Sequence, residues 1–88
     1  MQEKYLVQHQ IEKQQFIIDL GAEQALVQYE LDPTALHLHF YHTFVPVSAR
    51  GKGVANQLVT AALDWAKAQN YSISSSCSYV QLFLSRSK

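Results

Sequence analysis

The sequence predicts an α/β (α+β) domain: an antiparallel meander of strands, then one long helix, a parallel strand and a short C-terminal helix. Three observations carry this. Leu36, Leu38 and Phe40 alternate with His37, His39 and Tyr41, the period of two expected of a half-buried strand. From Val54 the period changes, and Val54, Leu58, Ala61, Ala62, Trp65 and Ala66 fall on one helical face. Between the two patterns stands Arg50-Gly51-Lys52-Gly53, a basic, glycine-bearing loop that opens the helix.

Each element has its own local signal. Phe16–Leu20 is a short apolar run stopped by Gly21, and Ala25–Leu31 is a second run ended by the turn pair Asp32-Pro33. Ala35–Val45 is the third and longest. Short turns between them predict antiparallel neighbours, with residues 5–11 adding an edge strand. The helix is expected from about Gly51 to Gln69, with Asn70 as its stop. Tyr71–Ser76 alternates again and reads as a strand, and Tyr79–Leu84 as a closing helical segment. A strand reached through a helical crossover lies parallel to its partner, with a right-handed connection. If that partner is the 35–45 strand, both end on one sheet edge, and Cys77 comes close to the Arg50 loop. Ligands of α/β units favour such carboxyl-end crevices.

The 88 residues form a single domain, 1–88, and at 48% hydrophobic they can bury a core. Seven acidic and seven basic residues balance, which argues against nucleic acid as a main partner. No apolar run approaches the roughly 20 residues that span a bilayer, and the N-terminus lacks a signal-peptide pattern. A cytoplasmic protein is the expectation. The single cysteine excludes an internal disulfide and a multi-cysteine metal site. His37 and His39 share one strand face while His42 points to the other, so no metal site is expected from the histidines.

The loop Arg50–Ala55 has the chemistry of an anion site. Glycines permit close backbone approach, the helix N-terminus offers unpaired N–H groups and a positive dipole end, and Arg50 and Lys52 add charge. The ligand class is a phosphate or pyrophosphate. A nucleotide-hydrolysing P-loop is excluded, because one residue stands between Gly51 and Gly53 where that motif has four. A dinucleotide fingerprint is excluded because Asn56 stands where its third glycine is required.

Arg50-Gly51-Lys52-Gly53-Val54-Ala55 resembles the acyl-CoA loop of the GCN5-related N-acetyltransferases, Gln/Arg-x-x-Gly-x-Gly/Ala, at every position. With His42-Thr43-Phe44-Val45-Pro46 and Cys77-Ser78-Tyr79-Val80, the chain is similar to the small single-domain, GNAT-like (YjdJ-type) members, over about residues 16–84. Ser78 departs from the proline those members carry after the cysteine, which leaves the turn at Cys77 looser. The chain also lacks the N-terminal helical pair of larger members, so its acceptor site is expected to be open or completed by another subunit.

The resemblance implies a minimal acyl-CoA N-acyltransferase fold and transfer of acetyl from acetyl-CoA to an amine, small molecule or peptide. Arg50, Gly51, Lys52, Gly53, Val54 and Ala55 would hold the coenzyme A pyrophosphate. Thr43, Phe44 and Val45 would pair main-chain groups with the pantetheine arm. Asn56 could approach a phosphate or ribose, or be a solvated helix residue. Cys77 could accept the acyl group as a thiolate, or be a buried structural cysteine. His42 could act as base, or cap its strand. Tyr79 could protonate the leaving thiolate, or pack in the core. The alternative function is a non-catalytic module that binds or senses coenzyme A or acyl-CoA. An exposed edge strand in so small a domain would also permit a homodimer.

Overall fold

A computed structural model of the chain describes residues 5–76 and 80–81. Five strands form one sheet in sequence order: β1 (Val7–Gln10), β2 (Gln15–Asp19), β3 (Gln24–Asp32), β4 (His37–Phe44) and β5 (Ser72–Ser75). The first three pairings are antiparallel and β4–β5 is parallel. One helix, α1 (Val54–Ala68), makes the crossover between β4 and β5 and covers one sheet face.

The turns follow from short polar side chains. The Asp19 carboxylate accepts the Gly21 N–H at 2.9 Å, and Gly21 takes φ +95° to turn the chain into β3. The Asp32 carboxylate accepts the N–H groups of Thr34 and Ala35 at 3.0 and 3.2 Å, closing the β3–β4 turn. At the other end of α1, Asn70 adopts φ +62° and ends the helix as its sequence suggests.

Alternation decides the core. Phe16 and Ile18 of β2, Ala25, Val27 and Tyr29 of β3, and Leu38 and Phe40 of β4 share the helix-facing side. They meet Val54, Leu58, Val59, Ala62, Leu63 and Ala66 of α1, all buried. Burying one such Leu or Val contributes about 1.5–3 kcal/mol. Trp65, half-buried, closes the β1 side, with its ring 4.4 Å from His9 and 5.5 Å from Tyr71. His9 itself stacks on Phe16 at 3.9 Å and shares a 2.6 Å hydrogen bond with the Tyr29 hydroxyl.

Two expectations are corrected. The helix begins at Val54, not near Gly51, because Gly51 and Gly53 have φ +82° and +80°, which no α-helix accommodates. The faces of β4 also differ from simple alternation. Gln28 pairs with His42 and Tyr29 with Phe40, so Tyr41 is an extra residue, a β-bulge. The bulge resets the phase. Thr43 then lies opposite the buried core residue Val27, and His42 opposite Gln28 on the helix-free face, where His37 and His39 also lie. Among the described residues no three His, Cys, Asp or Glu side chains are grouped to hold a metal ion.

Candidate functional site

Where β4 and β5 part, the sheet opens into a fork. Pairing between them runs from His37–Ser72 to Phe40–Ser75, and the last ladder bond joins the Ser76 N–H to the Phe40 carbonyl at 3.0 Å. Beyond it β4 continues to Phe44, paired to β3. The fork exists because the β4 run is longer than the Ser-Ile-Ser-Ser strand beside it.

The chain leaves β4 through buried Val45 and Pro46 and makes one 3-10 turn, Val47–Ala49. It then enters the glycine loop. Arg50 fixes that loop to the strand: its Nε donates to the Val45 carbonyl at 3.1 Å, leaving the rest of the guanidinium fork for another acceptor. The Lys52 N–H reaches back to the Ala49 carbonyl at 3.4 Å. The first bond of α1 runs from the Gln57 N–H to the Gly53 carbonyl at 3.0 Å, so the amides ahead of it are those a helix cannot satisfy by itself. Gly53 caps the helix without a side-chain hydrogen bond, and no acidic residue lies in the first turn to compete for those amides. A Cβ built on Gly51 would meet nothing within 4 Å, so the space before the loop is open.

This end of the domain also exposes apolar surface. Phe44 and Val47 are 43% and 76% exposed, flanking the loop. A ligand carrying both an anionic group and a less polar arm would find amides, cations and apolar contacts side by side. Val47 is absent from the residues that sequence reasoning singled out. Its signal was an aliphatic residue directly after the strand-ending Pro46, whose exposure is visible only once the 3-10 turn is known.

The predicted site residues therefore separate into three groups. Thr43, Phe44, Val45, Arg50, Gly51, Lys52, Gly53, Val54 and Ala55 form one continuous stretch from the strand end to the helix start. His42 is exposed at the same strand end, on the helix-free face, and Asn56 is turned elsewhere: it takes the Thr60 hydroxyl at 3.5 Å and lines an open groove between α1 and β1 with Tyr5 and Val7. Cys77 and Tyr79 lie outside the described residues, as does most of the expected closing helix, of which Val80 and Gln81 are helical. Val80 is buried in the core and the Gln81 amide donates to the Ser75 carbonyl at 2.7 Å, which returns the chain over β5.

A second polar array lies on the helix-free face. His37 and His39 of β4 interleave with Ser72, Ser74 and Ser76 of the neighbouring strand region, each imidazole nitrogen within 2.6–3.2 Å of a hydroxyl. Both rings are half-buried. The sequence puts His37 and His39 on one strand face and does not name their partners. The shared period of two in His37/His39 and Ser72/Ser74/Ser76 was the available signal.

No helix among the described residues is long and apolar enough to cross a membrane. Comparison with known proteins adds a family. The profile of a GCN5-related N-acetyl-transferase family matches residues 15–88. The chain is similar to a protein named Protein NATD1 from Bos taurus, 31% identical over 80 residues that cover 89% of this chain and 70% of that one. It is also similar to Protein NATD1 from Mus musculus, 30% identical over 80 residues, 89% of this chain and 72% of the relative. The Homo sapiens protein of that name is 30% identical over the same 89% of this chain and 70% of its own length.

Proposed function

The chain belongs to the GCN5-related N-acetyltransferase family, whose membership supports an acyltransferase function, and from that premise we propose that it transfers acetyl from acetyl-CoA to an amine. The observation that carries the proposal is the fork beside the glycine loop. A strand that outruns its parallel neighbour, joined through one 3-10 turn to the glycine loop and the helix-start amides, suits a long ligand with a pyrophosphate at one end and a thioester at the other.

In this reading the amides of Gly51 and Gly53–Ala55 hold the pyrophosphate, and the Arg50 and Lys52 charges draw it there. Main-chain groups of Thr43, Phe44 and Val45 align the pantetheine arm, with Phe44 and Val47 shielding it from water. The chain supplies amide dipoles at the strand end, and these favour the oxyanion that forms when an amine attacks the thioester carbonyl. His42, exposed at the fork, takes the role of base. Cys77 and Tyr79 follow Ser76 in sequence: Tyr79 protonates the leaving sulfur, and the family pattern makes Cys77 the acyl acceptor of a two-step route that would replace direct attack. Asn56 contributes its main-chain amide and not its side chain.

Calorimetric titration with acetyl-CoA tests the proposal. Saturable micromolar binding that Gly51 substitution weakens would support it. A folded protein that shows no heat with acetyl-CoA or coenzyme A would end it, and with it the reading of the chain as a coenzyme A sensor. Turnover against a panel of amines then separates the enzyme from the sensor.

A further inference from the structure

The serine–histidine array joins the fork to the opposite end of the β4–β5 pair without a break. Ser72 Oγ lies 2.6 Å from His37 Nδ1, His37 Nε2 lies 2.7 Å from Ser74 Oγ, Ser74 Oγ lies 2.7 Å from His39 Nδ1, and His39 Nε2 lies 3.2 Å from Ser76 Oγ. Both nitrogens of both rings are engaged. Ser76 is the residue whose amide makes the last β4–β5 ladder bond, so this end of the array stands at the fork. Parallel register produces the arrangement, because His37 faces Ser72 and His39 faces Ser74 on the same side of the sheet.

Proton counting constrains the array. A hydroxyl has one proton to give and can accept two, and a neutral imidazole donates from one nitrogen and accepts at the other. When Ser74 donates to one ring, it can receive only from the other. Two neutral rings then share a tautomer: both protonated at Nδ1, with every bond pointing toward Ser72, or both at Nε2, with every bond pointing toward Ser76. A chain with two such directional states moves a proton from end to end when it switches.

We infer that Ser72, His37, Ser74, His39 and Ser76 form a proton relay that carries the proton lost by the attacking amine from the β4–β5 fork to solvent; the inference rests on the acetyl-transfer reading above. The chain starts with both rings protonated at Nδ1. The ammonium form of the acceptor gives a proton to Ser76 Oγ as the Ser76 hydroxyl proton passes to His39 Nε2. His39 releases its Nδ1 proton to Ser74, Ser74 passes its own to His37 Nε2, and His37 releases its Nδ1 proton to Ser72. The Ser72 hydroxyl proton goes to water. One proton enters, one leaves, and no charge stays on the array. The freed amine electron pair forms the C–N bond, the C–S bond breaks, His42 takes the second amine proton, Tyr79 protonates the departing sulfur, and the proton on His42 returns to Tyr79 through water. Between turnovers the half-buried rings return to their starting tautomer by exchange with water. These five residues are relay and positioning residues, apart from Ser76, which meets the substrate.

The test is nitrogen-15 NMR of the full chain labelled at its imidazoles, with the wild type, Ser74→Ala and Ser74→Thr. The wild type is expected to show one shared tautomer at His37 and His39, Ser74→Ala to uncouple them, and Ser74→Thr, which keeps the hydroxyl, to restore the coupling. In acetyl-CoA consumption with benzylamine as the probe amine, Ser74→Ala is expected to lower kcat at least about tenfold, a small share of what positioned proton transfer can contribute, with KM for acetyl-CoA unchanged. Different tautomers in the wild type, or Ser74→Ala with unaltered kcat, would overturn the relay while leaving acetyl-CoA binding and the transfer reading intact. Coupled tautomers in a protein that binds no acetyl-CoA would overturn the transfer reading and, with it, the relay's role.

Discussion

Replacing Gly51 by alanine separates the loop's cost to folding from its value to binding. At φ +82° an L-residue sits in left-handed backbone, which costs about 1–2 kcal/mol. Alanine also narrows the unfolded ensemble, which returns about 0.4–1 kcal/mol. The new Cβ adds no clash, since nothing lies within 4 Å of it. The net loss is therefore about 1 kcal/mol, or a fall in Tm of about 4–8 °C for a domain of this size. Gly21 provides a matched control. Its φ is +95°, its Cβ would also meet nothing within 4 Å, and it turns β2 into β3 outside the loop, although at the same end of the sheet, where Glu23 accepts the Ser48 hydroxyl at 3.4 Å. Gly21→Ala is expected to show the same fall in Tm by calorimetry and no change in acetyl-CoA affinity. Gly51→Ala is expected to bind acetyl-CoA at least about tenfold more weakly, less than the loss of one hydrogen bond to a charged group can cause. Equal affinity in the two variants would refute the reasoning, because the open space before Gly51 would then belong to solvent alone.

Other outcomes follow from the same geometry. Arg50→Lys keeps the charge but not the planar fork that reaches the Val45 carbonyl, so titration should show weaker acetyl-CoA binding for it as well as for Arg50→Ala; wild-type affinity in the lysine variant would reduce Arg50 to a point charge. Leu58 is fully buried under the sheet, and Leu58→Ala should cost about 2–5 kcal/mol in urea denaturation; a loss under 1 kcal/mol would mean that the helix closes the cavity. Burial holds the His9 pKa below its usual 6.5, so the unfolded chain takes up the proton first. Stability from this site is full above pH 6.5 and is lost as pH falls through the lower folded value, and His9→Gln should flatten that part of the denaturation profile. Burial and then the nearby Tyr71 push the Tyr29 hydroxyl above 10, so a second loss is expected as pH rises past 10, one that Tyr29→Phe removes.

Much of the architecture could be read from residue order because each element announces itself locally. Leu38 and Phe40 alternate with His37 and His39, although Leu36 falls in the turn before β4 and is exposed, Val54–Ala66 repeats at helical spacing, and Asp19, Gly21, Asp32 and Asn70 supply the turn chemistry. The glycine loop was legible for the same reason: its chemistry lies in consecutive residues. Features set by one strand's position against another were not. The bulge at Tyr41 is a mismatch between β3 and β4, and nothing in either strand alone marks it, so His42 was assigned to the wrong face. The His37–Ser72 and His39–Ser74 contacts join residues 35 apart in sequence and depend on parallel register. The helix starts later than the expected Gly51 because the helical period begins only at Val54, while Gly51 and Gly53 take left-handed backbone.

The bulge divides β4 into two lengths that answer to different demands. Up to Phe40 the strand is bound to the core by alternation, and a change of parity there would turn Leu38 into water. After Tyr41 the count begins again, with Thr43 and Val45 inward and His42 and Phe44 outward. Because Tyr41 is the extra residue, removing it would straighten the strand and leave every later side chain on the face it now holds. Tyr41 is 44% exposed, and surface positions of that kind ordinarily tolerate deletion. The bulge is a spare residue in the strand: a single codon lost at this exposed tyrosine would keep Thr43 and Val45 inward and His42 and Phe44 outward, and would change only the local bend at the mouth of the fork.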